Sequence, residues 1–331
     1  MNLIDIFSND AFSMTSLTAT INDAPHKPGR IGQMGLFVDS GINTTTATVE
    51  SKQGTLQLLP TKERGAPATQ GKADKRKVRA FAVPHIPHDS TILADEVQNV
   101  RAFGSNSALQ GIRTVVNQRL GNLRANHEVT LEHLRLGAIK GQILDADGSS
   151  VIYDLFHEFG VEQQTHEFEF SDEALDVRVN CMQMRRKVDE ALGVTMYDHL
   201  HAFCGANFYD ELVGHDYVKE SYKRYQAGAM LRNDMRDGFH YCNTMWEEYL
   251  GQIEGVPFID PDEAYVFPVG SDIFQTWFAP ADFFEVANQI GLPLYAKQKP
   301  LDFNKGVQLH TQSNPLPICL KPRAVIKCTM S

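Results

Sequence analysis

The chain has 331 residues, 42% of them hydrophobic, and a formal net charge of −10. That length supports one large or two modest folded units with an apolar core, and the negative balance argues against a surface that grips nucleic acid throughout. No apolar run approaches the ~20 residues that span a bilayer. The start, MNLIDIFSNDAF, lacks the basic end and apolar block of a signal peptide, so the expected compartment is a cytosol.

Taken in chain order, the first forty residues carry Pro25, Pro28, Gly29, Gly32 and Gly35, which predicts an extended arm or long loop. TTTATVES (44–51) and TLQLLP (55–60) predict a hairpin turning at Lys52–Gly54. KERGAPATQGKADKRK (62–77) has no apolar anchor and reads as a protruding loop ending in the basic cluster Lys72, Lys75, Arg76 and Lys77. VRAFAVPHIP (78–87) returns to the body as a strand.

From Ala108 to Lys140, the residues Leu109, Ile112, Val116, Leu120, Leu123, His127, Leu131, Leu134 and Ala138 recur at spacings of three and four. That period predicts one amphipathic helix of about nine turns, on the order of 50 Å long. Arg113, Gln118, Arg119, Arg124, Glu128 and Glu132 fall on its polar side. Such a rod is a spine across which a sheet can be laid.

Beyond the spine, GQILDADGSSVIYDLF (141–156) predicts a hairpin turning at Asp147–Gly148, and EFEF (167–170) a strand. A helix is expected from an N-cap at Ser171 to Gly193. Then come strand-like DHLHAF (198–203), a helix over 207–230, and strand-like FHYCNTMWEEYL (239–250), YVFPVG (265–270) and QTWFA (275–279). A short helix at 280–290 and the tail strands VQLHTQ, PICL and AVIKC complete the pattern.

Motifs for chemistry are sparse. No phosphate-binding glycine loop is present. His127 and His133 are six apart, which turns them about 240° away from each other, unlike the four-residue spacing of a zinc helix. The pairs His85/His88 and His199/His201 lack further ligands at diagnostic spacing, and Asp145-Ala-Asp147-Gly148 opens like a calcium loop but reaches Phe156 at the twelfth position. No metal or cofactor is expected. Cys181, Cys204, Cys242, Cys319 and Cys328 include no CxxC and read as reduced, mostly buried thiols. The enzymatic alternative is a cysteine-dependent hydrolase, with Cys204 at a strand-to-helix junction, His215 as base and Asp210 or Asp216 as orienter.

Seven segments carry a resemblance over nearly the whole chain: LTATINDAPHKPGRIGQMGLF (17–37), TLQLLPTKERGAP (55–67), FAVPHIPHDSTILADEVQNVRAFGS (81–105), RLGAIKGQILDADGSSVIYDLF (135–156), HAFCGANFYDELVGHDYVKESY (201–222), FPVGSDIFQTWFAPADFFEVANQIGLPLYAK (267–297) and LHTQSNPLPICLKPRAV (309–325). In this order they resemble the phage major capsid protein E family, the lambda-type branch of the Hong Kong 97-like capsid fold. The resemblance implies an α+β fold with an N-terminal arm (1–40), an E-loop hairpin (41–80), a peripheral domain (81–194 and 300–331) built on the spine helix, and an axial domain (195–299). It implies a structural protein, not an enzyme: a tailed-bacteriophage shell subunit that self-assembles through hexamers and pentamers into an icosahedral shell around double-stranded DNA. Its place would be the virion, after assembly in the host bacterial cytoplasm. Implied partners are copies of itself, a scaffolding protein, a portal and a decoration protein. Packaged DNA would be met non-specifically on the inner face, and no membrane is involved. Lys72, Lys75, Arg76 and Lys77 are expected to pair with an adjacent subunit's acidic stretch Glu158–Glu173, with Glu167 and Glu169 as named candidates. Exposed pairs of this kind contribute only ~0–1 kcal/mol each and set register more than strength. Another phage structural role, in a tail or as decoration, is the remaining alternative.

Overall fold

The computed structural model describes residues 10–24, 29–52, 76–97, 108–172, 175–224, 238–253 and 256–330. The expected extended arm is instead partly helical. Ser13 caps α1 (Met14–Asp23) by accepting from the Ser16 amide, and α2 (Arg30–Met34) ends at Gly35, whose φ of 61° only glycine adopts freely. Proline and glycine limit these helices without preventing them, because Phe12, Leu17, Ile21 and Ile31 find apolar cover in the body of the same chain.

β1 (Val38–Gly41) leads to a ribbon of β2 (Thr46–Lys52) and β3 (Arg76–Ala82), antiparallel in the register Thr46↔Ala82 to Lys52↔Arg76. TLQLLP and most of the polar loop lie outside the described residues. β4 (Ile86–Leu93) and a single turn, α3 (Ala94–Val97), precede the spine, α4 (Ala108–Lys140), which is one unbroken helix as expected. β5 (Gln142–Leu144) and β6 (Val151–Asp154) form the hairpin expected at Asp147–Gly148, with Gly148 at φ 68° and the Asp147 carboxylate accepting from the Ser149 and Ser150 amides. α5 (Leu155–Phe159) and β7 (Gln164–Phe168) follow.

The next helix starts later than Ser171. α6 (Val177–Leu192) begins after Asp176, which accepts from the amides of Arg178 and Val179, and its buried stripe is Val177, Cys181, Met184, Val188 and Leu192. Gly193 ends it as expected. After β8 (His199–Cys204), the helix expected over 207–230 is two: α7 (Ala206–Gly214) and α8 (Asp216–Arg224), separated by extended backbone at His215. Gly214 weakens the helix there, and Asp216 favours a fresh first turn. The strand expected at 239–250 is a hairpin, β9 (Phe239–Tyr241) and β10 (Thr244–Glu248), reversing at Cys242 and Asn243.

β11 (Gln252–Ile253), β12 (Val256–Pro257), β13 (Glu263–Val269) and β14 (Phe274–Phe278) come next. The helix expected at 280–290 is only a 3-10 turn at Phe284–Val286, since Asn288 turns to φ 61° and Phe284 is fully exposed. β15 (Tyr295–Pro300), β16 (Gly306–Ser313), β17 (Pro315–Cys319) and β18 (Ile326–Met330) end the chain.

Two layers result. A mixed six-stranded sheet, ordered β7-β18-β13-β8-β10-β9, has β8 and β13 buried along nearly their whole length. Strands covered on both faces read as continuous apolar runs, not as alternation. An antiparallel sheet, β15-β16-β4, packs on the first half of α4, where Ile112, Val116, Leu120 and Leu123 meet Ile92, Leu294, Ala296, Val307 and Leu309. The laid-across sheet is therefore present. The six-stranded sheet takes strands from both sides of the boundaries expected at 194/195 and 299/300, since β7 and β18 belong to it. No helix among the described residues is long and apolar enough to cross a membrane.

Candidate assembly surfaces

The strand-to-helix junction at Cys204 forms as anticipated, but not as a reactive site. The side chain is fully buried, and loss of hydration pushes its thiol well above the usual range. Cys204 precedes α7 and His215 follows it, so a nine-residue helix, about 13 Å of rise, separates nucleophile from base. A dyad needs hydrogen-bond contact, which this arrangement rules out. His215 instead stacks on Tyr217 and tilts against Phe170.

The histidine pairs are likewise engaged in structure. His127 is 5% exposed and its Nε2 lies 3.0 Å from Thr311 Oγ1, joining the spine to β16. Burial, reinforced by His88 and His310, pushes its imidazole down to about 4, so it is neutral at ordinary pH. His133 faces the Asp145 carbonyl at 3.2 Å, His85 contacts Gln312 and Asn314, and His201 meets Glu247 at 3.1 Å. Among the described residues no three His, Cys, Asp or Glu side chains gather as a metal site would need.

The ribbon root is fixed to its own subunit. Ala47, Val49 and Phe81 turn inward while Thr46, Thr48, Val78 and Ala80 are exposed, the period of two that seats one face of a ribbon. Arg79 donates to the Glu158 carbonyl at 2.5 Å and lies 5.2 Å from the Phe159 ring centroid; Tyr153 Oη donates to the Ala82 carbonyl at 2.7 Å. Of the basic cluster, Arg76 and Lys77 stand on β3, whereas Lys72 and Lys75 lie outside the described residues. Glu167 is exposed on β7, an edge strand of the six-stranded sheet, and exposed Glu169 follows directly.

Two charged side chains that the helical period places on the polar face of the spine, Arg124 and Glu132, hold the N-terminal segment together with Arg135. Arg124 donates to the carbonyls of Ile21 (2.5 Å) and Asn22 at the end of α1. Glu132 accepts from the Ile31 amide at 2.8 Å, at the start of α2, and from Tyr249 Oη at 3.1 Å. Arg135 reaches Asp39 of β1 at 2.5 Å and Thr276 of β14 at 3.2 Å. Arg30 completes the set with a two-point pair to Glu247, at 2.5 and 2.7 Å. An open cleft of about 630 Å³ lies here, bordered by Arg30, Val129, Glu247, Leu250 and Phe258. Its carboxylates Glu132 and Glu247 are engaged in joining chain segments.

A long unbroken spine, a sheet across its first half, a rooted ribbon and a mixed second sheet form one recognisable arrangement. The family model described as phage major capsid protein E matches residues 13–330. The chain belongs to that family. Membership makes it a phage shell protein by family, with no support for a hydrolase. It is similar to the major capsid proteins of Pseudomonas phage KPP10, with 28% identity over 96% of both chains, and of Salmonella phage Felix O1, with 24% over 95% of both. Among solved structures it is similar to a prophage capsid protein from Escherichia coli CFT073, at TM-score 0.58 and 14% identity, covering 96% of this chain and 99% of that one. The mature capsid of bacteriophage PhiM1 matches at TM-score 0.52 and 11% identity, covering 93% and 89%. Those two likenesses establish the shared Hong Kong 97-like α+β fold.

Proposed function

We propose that this capsid E family member assembles with copies of itself, through hexamers and pentamers, into an icosahedral shell around double-stranded DNA. The observation that carries the reading is the ribbon β2–β3: two strands are too few to be stable alone, yet this one is rooted firmly at Arg79 and Phe81, and the sequence that joins its strands includes the stretch 62–75, which has no apolar anchor. A segment built that way suits contact with a second copy. Heterologous contacts of this kind close into rings, and many weak ones sum by multivalency. Within the subunit, the peripheral domain is best drawn as the first half of the spine with β4, β15 and β16. The axial domain is then the six-stranded sheet with α6 and α7, so that β7 and β18 pass to it.

The basic cluster Lys72, Lys75, Arg76 and Lys77 is proposed to meet Glu167 and Glu169 of an adjacent copy, along the edge strand β7. Assembly in a host cytoplasm, a scaffolding protein, a portal, a decoration protein and non-specific contact with packaged DNA belong to the same reading. Electron microscopy of the purified chain, with and without scaffold, tests it: closed shells or ring-shaped capsomers are expected. A chain that stays monomeric at every concentration and with scaffold supplied contradicts it. Reversing the four basic charges should lower assembly yield at low salt, and an unchanged yield removes the ion-pair part alone.

A further inference from the structure

The apolar series of the spine is buried at Ile112, Val116, Leu120, Leu123, Leu134 and Ala138, yet Leu131 in the same series is only partly covered. It lines a second open groove, of about 900 Å³, between the spine, α1 and the segment 279–294 that joins β14 to β15. Met14 of α1 and Leu292 of that segment also line the groove with part of their surface uncovered, Leu292 being 44% exposed. The charged groups at its border are paired within the chain: Arg124 with Glu128, Arg135 with Asp39 and Glu285 with Lys297. An occupant therefore need not carry charge. Apolar lining left against water costs free energy until an apolar segment covers it.

The chain supplies such a segment beside the groove. Residues 1–9, MNLIDIFSN, precede the described residues and include Met1, Leu3, Ile4, Ile6 and Phe7. Their point of attachment is fixed. The Asp10 carbonyl accepts from the Ser13 amide at 3.1 Å and from Ser16 Oγ at 2.8 Å, and the Gln298 side chain donates to the Phe12 carbonyl at 2.9 Å. Asp10 thus stands four residues from Met14, which is part of the groove wall. The groove follows α1 from Met14 to Asn22, about 12 Å of helix. Nine residues reach at most about 30 Å, enough to run its whole length. A tether this short keeps the segment at an effective concentration on the order of millimolar beside its own groove.

We propose that this groove is the docking site for residues 1–9 of the same copy, with Leu3, Ile4, Ile6 and Phe7 covering Met14, Leu131 and Leu292. Asn2, Asp5, Ser8 and Asn9 then face the solvent on the open side. The docked segment ties α1 and residues 279–294 to the spine, an attachment separate from the contacts of Arg124.

The test uses the full chain with p-benzoylphenylalanine in place of Phe7, irradiated and mapped by peptide mass spectrometry. Cross-links should fall on peptides holding Leu131 or residues 286–294, in a product that keeps the mass of one chain on a denaturing gel. In the unsubstituted chain, amides of residues 3–7 should exchange at least about tenfold more slowly than in an unstructured peptide of the same sequence. Ile6→Asp and, separately, Leu131→Asp should remove that protection. A product of twice the chain mass, which places the segment on a second copy, overturns the proposal. So do cross-links elsewhere in the chain, no cross-links at all, or protection that survives both substitutions. If Leu131→Asp does not fold, the cross-link map and Ile6→Asp still decide.

Discussion

Between Ile112 and Leu123 the spine meets the rest of the chain mainly through aliphatic side chains, whereas from Arg124 to Arg135 a guanidinium, an imidazole, a carboxylate and a second guanidinium join it to other segments, beside one buried aliphatic residue, Leu134. The first half lies on a sheet whose inner face is apolar. The second half gathers segments whose ends expose backbone groups: carbonyls at the end of α1 and amides at the start of α2. Apolar contact suits a broad face, but helix ends need partners for unsatisfied backbone groups. One helix thus carries two kinds of joint, and which kind depends on what arrives at each turn.

The sharpest way to break this comparison is Leu120→Ala, which empties a fully buried position between sheet and spine. It should cost about 2–5 kcal/mol in denaturant unfolding. Next is acidity. His127 has its pKa depressed to about 4 in the folded chain against 6.5 when unfolded, so the unfolded state takes up the proton first. Its contribution is full above 6.5 and is lost as pH falls toward 4. Stability should drop by roughly 2 kcal/mol between about pH 7 and pH 5 through this residue. His127→Asn should flatten that slope, and an unchanged slope contradicts the assignment. Glu132→Gln removes the charge at the α2 start and should cost about 1.5 kcal/mol, with faster amide exchange at Ile31 as the specific sign. Arg119→Ala, which removes an exposed pair with Glu96 on the first half, should cost less than about 1 kcal/mol.

The same contrast explains what the sequence could reveal. The spine was legible because its apolar residues repeat at helical spacing over 33 residues, and the Asp147–Gly148 hairpin because its turn chemistry is local. α1 and α2 were not: each is short, and each owes its stability to groups about a hundred residues away, such as Arg124 and Glu132. Those two charges read as a solvated face by period alone, since no local signal marks a charge that will be buried against a distant helix end. The break at Gly214–His215 could have been anticipated from glycine followed by an acidic first turn. The turn at Cys242–Asn243 could not, because cysteine is not a turn former. Of the expected contact residues, Glu167 and Glu169 are exposed beside a sheet edge, a property that alternation in EFEF only hints at.

A single-particle reconstruction of assembled particles tests the central claim most directly. The account predicts one continuous helix over 108–140 in every subunit of the wall. Each copy's own α1 and α2 should be held by its own Arg124 and Glu132. Density in which α1 and α2 are seated on a neighbouring subunit's spine, or in which the helix is broken into separate pieces, would contradict it.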